Sequence, residues 1–191
     1  MQNRKVLAAA VFAAFVSITG CSTTTTSGKP ADAVAERHSI NADVDAALSK
    51  LYAQAPASRQ LVEQAKGVLV LPSVLSAGFI VGGSYGQGAL RSGVHSVAYY
   101  STTAASVGLL AGADSKSIFL LFRTQDAFDK FRASQGWTAG ADASVTALTV
   151  GADGNIDTNS AQHAVTSFVL SNGGLMANLS IDGSKFTRLD L

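Results

Sequence analysis

The chain has 191 residues, 47% hydrophobic and 14% charged, with 18 glycines, one cysteine and a formal net charge of +1. Such a balance offers no basic excess for nucleic acid, and a single cysteine allows no disulfide within the chain. Low charge with abundant Gly, Ala, Ser, Thr and Val fits one compact, strand-rich domain with a core of ordinary size.

Arg4 and Lys5 precede the apolar run Val6 to Ile18. That run is too short to span a bilayer with ease, so the layout is that of a secretory signal peptide. It closes on Ile18-Thr19-Gly20-Cys21, which resembles a bacterial lipobox: an aliphatic residue, two small residues, then the cysteine. The resemblance implies removal of residues 1–20, a diacylglycerol on the Cys21 thiol and an acyl anchor in a membrane. Ser22 in place of Asp implies, by likeness to Gram-negative lipoproteins, sorting to the outer membrane, with the domain facing the periplasm or the outside. Acylation would leave no free thiol, which excludes cysteine catalysis and cysteine metal ligation. Without Arg4 and Lys5 the 14 basic residues fall to 12 against 13 acidic ones, a net charge of −1. No other segment is long and apolar enough to read as a membrane span.

Residues 21–38 open on a Thr/Ser-rich stretch with Gly28 and Pro30 and are read as a flexible tether, leaving 39–191 as the domain. Val44, Ala47, Leu48, Leu51 and Tyr52 recur at helical spacing, with Ser39 or Asn41 as cap and Pro56 as stop. A second short helix is predicted from Ser58 to Gly67. The period then changes to two. Val68-Leu69-Val70-Leu71, bounded by Pro72, reads as a strand buried on both faces. Further strands are predicted at 78–90, 94–101, 105–111, 118–122, 144–150, 165–171 and 175–181, with turns at Asn172-Gly173 and Asp182-Gly183. One helix interrupts them, capped by Thr124 and carrying Phe128 and Phe131 toward the core. The fold class is α+β: N-terminal helices, then a mainly antiparallel, strongly curved sheet system, sandwich or barrel-like, with one inserted helix.

The stretch Ile80 to Gly88, IVGGSYGQG, spells G-x-S-x-G around Ser84, the pattern of a nucleophile elbow. An elbow needs a helix straight after its turn, and Gly86, Gly88 and Gly93 disfavour one. A P-loop fails because Ala89-Leu90 stands where Lys-Ser/Thr is required, and a dinucleotide loop fails at Arg91. Read as a strand, the segment puts Phe79, Val81 and Tyr85 on one face and Gly78, Gly82, Ser84 and Gly86 on the other. A bare face of this kind lets the sheet bend, or lets a backbone or ligand approach closely. His38, His95 and His163 form no metal-spaced set, and Asp153 to Asp157 lacks the glutamate and ligand count of a calcium loop. Neither a metal nor a cofactor is expected.

The ordered series AKGVLVLPSV, AGFIVGGSYGQGAL, SVGLLAG, FLLFRTQDAFDKF, GWTAGADASVTALTVG and SNGGLMANLSIDGS resembles the SYLF domain family, from about Val44 to Asp190. The resemblance implies a non-catalytic domain that binds phospholipid or another amphiphile, with phosphoinositide ligands in eukaryotic members and actin binding in some fungal ones. Between Gly93 and Ser106 the sequence departs from the family, with Val94 to Tyr100 where a tryptophan and a proline-containing segment are usual. Under this reading Lys66 and Arg91, flanking the glycine-rich strand, are candidates for a phosphate head group. Phe79 and Tyr85 are candidates for an apolar lipid-facing surface, and Cys21 is the attachment point. The other readings are an envelope module with a protein partner and, third, a small serine esterase using Ser84.

Overall fold

A computed structural model of the chain describes residues 30–78, 81–107, 112–148, 156, 162–171, 174–176 and 181–191. Helix α1 spans Pro30–Gln54 and α2 spans Ser58–Gln64. Four long strands follow: β1 Gly67–Gly78, β2 Val81–Ser92, β3 His95–Val107 and β4 Gly112–Phe122. Helix α3, Gln125–Ala133, leads to β5 Gly136–Thr138 and β6 Thr146–Ala147. The described strands end with β7 Val165–Ser171, β8 Gly174–Leu175 and β9 Lys185–Leu189. They form one sheet in the order β5-β9-β3-β2-β1-β4-β7-β6, with β8 on β7. Of the described strand pairs, only β6 with β7 is parallel. The sheet curves strongly into a half-barrel, so the α+β class and its curvature are as expected.

Strand alternation builds two cores from one sheet. Leu69 and Leu71 of β1 and Ile118, Leu120 and Phe122 of β4 pack with Phe128, Phe131, Trp137 and Phe186. Their neighbours Val68, Val70, Phe119 and Leu121 pack with Ile40, Val44, Ala47 and Leu51 of α1. A strand buried on both faces has no polar side, which is why its sequence is a continuous apolar run. In the first core the Phe131 ring lies 4.7 Å from the rings of both Tyr100 and Phe122. Thr124 caps α3 as predicted, its Oγ1 accepting from the Ala127 N–H at 3.3 Å.

The strand does not stop at Pro72. It runs on to Gly78 through a bulge, in which Leu71 and Pro72 stand opposite the one residue Gly88 of β2. Against β4 the extra pair is Pro72 and Ser73, opposite Ser117. Both ladders thus step over the residue that lacks an N–H, the arrangement in which a central strand tolerates proline. Ser117 Oγ donates to the Pro72 carbonyl at 2.7 Å. The bulge throws the β1 backbone across the path of β2's side chains. A Cβ on Gly86 would lie 2.7 Å from the Ser73 carbonyl oxygen, and one on Gly88 would run into the Val70 carbonyl. What approaches the bare face at these two positions is therefore β1 itself.

Several boundaries differ from the sequence reading. Helix α1 begins at Pro30, so residues 30–38, assigned to the tether, are helical. Proline suits the first helical position, and Ala31, Ala33 and Ala35 are strong helix formers. Ser39 and Asn41 are mid-helix and cap nothing, and the N-cap of α2 is Ala57 rather than Ser58. The strands expected at 94–101 and 105–111 are, as far as the described residues go, the one strand β3. Strand β9 was not expected, because Lys185 to Leu189 carries only one deeply buried residue, Phe186. Asn172, Gly173 and 177–180 lie outside the described residues, while the β7–β8 pairing Ser171 with Gly174 is that of the expected hairpin.

Two tests follow from this packing. Gly88→Ala is expected to destabilise the fold by about 3 kcal/mol or more in urea unfolding, since backbone atoms occupy the space a methyl needs. Gly83→Ala is the control, because its nearest neighbour would be 3.9 Å away; its midpoint is expected to shift little or not at all. Among the described residues, every member of the two buried cores lies at or after Ile40. A chain starting at Pro30 is therefore expected to unfold in one transition with the full-length midpoint, and a broad, non-cooperative melt would contradict this account.

Candidate functional site

Helix α1 lies on the sheet with its apolar stripe down and its two flanks differently engaged. On one flank the helix is latched. Arg91 Nη1 on β2 meets Asp45 Oδ1 at 2.7 Å, and Asn41 Nδ2 donates to the Tyr99 hydroxyl at 3.0 Å. Ser96 Oγ donates to Asn41 Oδ1 at 2.6 Å. On the other flank Glu36, Asp43 and Lys50, each seven residues from the next, overhang a cleft of about 600 Å³. Two helical turns separate these residues, so their charges are spaced about 10 Å apart along the axis.

The floor of the cleft is the bulge and what lies just past it: Pro72, Ser73, Leu75, Gly86, Gln87 and Ser117, with Tyr85 beside them. Before the bulge the sheet is tightly covered, Val70 and Ala89 being fully buried; past it Leu75 is 62% and Tyr85 52% exposed. These two are direct cross-strand partners. Val81, 68% exposed, lies further along β2 with the same side-chain parity as Tyr85. Large apolar side chains left in water beside a cleft are an informative surface feature, whereas scattered ones are not.

The site residues read from the sequence do not gather in one place. Tyr85 lines the cleft. Lys66, just before β1, and Arg91 both lie at the far end of the β1–β2 pair, where Ser92 Oγ donates to the Lys66 carbonyl at 3.4 Å. Six residues of strand separate Arg91 from Tyr85, about 20 Å. Arg91, its side chain only 12% exposed, is committed to Asp45 and to the Asn41 carbonyl. Lys66 is exposed. Cys21 and Phe79 lie outside the described residues. Ser84 sits within β2, paired with Ser76 and Ala104, and the strand continues to Ser92, so no strand–turn–helix elbow forms around it. No group of three metal-ligating side chains occurs among the described residues, and no described helix is long and apolar enough to cross a membrane.

Sequence reasoning missed Leu75 and the acidic flank. Leu75 escapes it because Pro72 reads in sequence as the end of its strand. Glu36, Asp43 and Lys50 carried a signal in their seven-residue spacing, but the first of them lay in the segment assigned to the tether. A second cleft of about 300 Å³ lies between Arg37 of α1, Ser96 to Tyr99 of β3 and Arg188, Leu189 and Leu191 at the chain's end.

No curated protein matches the chain. Residues 103–190 match the family model described as Ysc84, Las17-binding protein actin regulator. The match opens just past Val94 to Tyr100, the stretch where the sequence departs from the family pattern. It takes in the end of β3, all of β4, α3 with Phe128 and Phe131, Trp137 and the closing strands, and it is consistent with the resemblance to the SYLF domain family.

Proposed function

We propose that the domain binds phospholipid or a similar amphiphile without catalysing a reaction, and that acyl chains on Cys21 anchor it to the outer membrane. The observation that carries the reading is the exposed cross-strand pair Leu75 and Tyr85 on the floor of an open cleft. Together they offer apolar surface to an acyl chain, and the polar flank of α1 offers charged groups to a head group. The anchoring reading rests on the apolar leader and the Ile18-Thr19-Gly20-Cys21 sequence. The actin role in the family description is not carried over, because a chain exported behind such a leader leaves the compartment where actin is found.

Residues 30–191, which contain both cores, are expected to co-sediment with phospholipid vesicles. Leu75→Ser with Tyr85→Ser removes burial worth roughly 2 kcal/mol, so the partition coefficient should fall about 30-fold while the melting midpoint holds. If the unmodified domain sediments with no vesicle composition, the surface serves a protein partner and the lipid reading is lost. The anchor has its own readout. Labelled palmitate should enter the full-length chain expressed in a Gram-negative cell and should be absent from Cys21→Ser; equal labelling of both would refute the anchor.

A further inference from the structure

The three charged residues that line the cleft all belong to one flank of α1, and their signs are unequal. Glu36 and Asp43 are acidic, and Lys50 is basic. Among the described residues none of the three has an ion-pair partner. Glu36 Oε1 accepts from Gln87 Nε2 at 3.4 Å, which turns the carboxylate toward the floor and leaves its second oxygen open. Asp43 is exposed beside Ile40 and Ala47, whose side chains are buried. Tyr85 lines the same cleft with half its surface in water. Two carboxylates two helical turns apart make the rim of the cleft negative, and each can pair with an organic ammonium group by charge. They disfavour an anionic head group, for which one lysine is outweighed by two acids.

We infer that the cleft selects an amphiphile whose head group bears a primary ammonium, a zwitterionic phosphatidylethanolamine, over an anionic phosphatidylglycerol. The ammonium lies toward Asp43 and the phosphodiester toward Lys50, two turns further along the same flank; Glu36 adds negative charge at the rim, and the acyl chains run over Leu75 and Tyr85. This rests on the lipid-binding reading above and adds the head-group class to it. The charge complementarity on the helix flank is the reason for choosing this occupant over a protein.

The test titrates residues 30–191 with dihexanoyl phosphatidylethanolamine and dihexanoyl phosphatidylglycerol, equal in acyl length and used as monomers, and with free ethanolamine. The ethanolamine lipid is expected to bind at least ~5-fold more tightly than the glycerol lipid, as the partly exposed carboxylates of Asp43 and Glu36 allow. Free ethanolamine, lacking the chains, is expected to bind far more weakly than the lipid. Glu36→Gln with Asp43→Asn should erase the preference, and Glu36→Lys with Asp43→Lys should reverse it. These side chains are outside both cores, and an unchanged melting midpoint separates a lost preference from a lost fold. Equal or tighter binding of the glycerol lipid, or a preference untouched by the double variants, overturns the inference and leaves lipid binding standing. Binding of neither lipid removes both, and free ethanolamine bound as tightly as its lipid would make the site one for soluble amines.

Discussion

Two residues of β1, Leu71 and Pro72, stand opposite the single residue Gly88 of β2, and much of the molecule is arranged around that mismatch. An extra residue in one strand bends it and increases the local twist. The strand beside it must then give up volume, which is why Gly86 and Gly88 have no room for a side chain. Before the bulge the sheet carries side chains on both faces and is sealed by α1 on one and α3 with Trp137 on the other. Past the bulge the surface toward α1 is left uncovered at Leu75 and Tyr85. One irregularity in one ladder thus separates the part of the sheet that holds the fold from the part that faces the cleft.

The helix over that sheet is held by two kinds of force that do different things. Ile40, Val44, Ala47 and Leu51 supply burial, but Ala47 and the flanking small residues give a thin stripe. Position is set by the latch: Asn41 to Tyr99, Ser96 to Asn41, and Arg91 to Asp45. With Asp45 64% exposed, the ion pair is screened and worth at most about 1 kcal/mol; its geometry matters more than its energy. By fixing one flank of α1 against β2 and β3, the latch leaves the other flank overhanging the bulge. The groups that position the helix are consequently different from those that face the cleft.

The division between what could be read in advance and what could not follows the same line. The doubly buried run Val68 to Leu71, the Thr124 cap, the core phenylalanines of α3 and the strand character of the glycine stretch from Val81 on all depend on local pattern, and all were legible; Gly78, expected in that same strand, ends β1 and pairs with Gly82. Pro72 misled, because whether a proline ends a strand or sits in a bulge depends on both neighbouring strands, and that is long-range information. Leu75 was lost with it. Arg91 reads as a head-group candidate because its partner Asp45 is 46 positions away, on an element with no sequence link to β2. Strand β9 was invisible because it is anchored by one buried side chain, Phe186, whose partners Phe131 and Trp137 come from elsewhere.

Chain geometry would couple the proposed acyl anchor at Cys21 to the cleft. From Cys21 to Pro30, where α1 begins, nine residue steps span about 32 Å at full extension, whatever path they take. Helix α1 runs from that point with Glu36 in its second turn, so an acyl anchor at Cys21 keeps the acidic end of the cleft within one membrane thickness of the surface. Confinement of this kind raises the effective concentration of lipid at a weak site, so affinity need not be high for the cleft to be occupied. Three partly exposed charges and two half-exposed apolar side chains would make a poor receptor for a dilute ligand. For the proposed lipid, at surface density beside a domain tethered as proposed, they would be sufficient, and selectivity among head groups would then matter more than tightness.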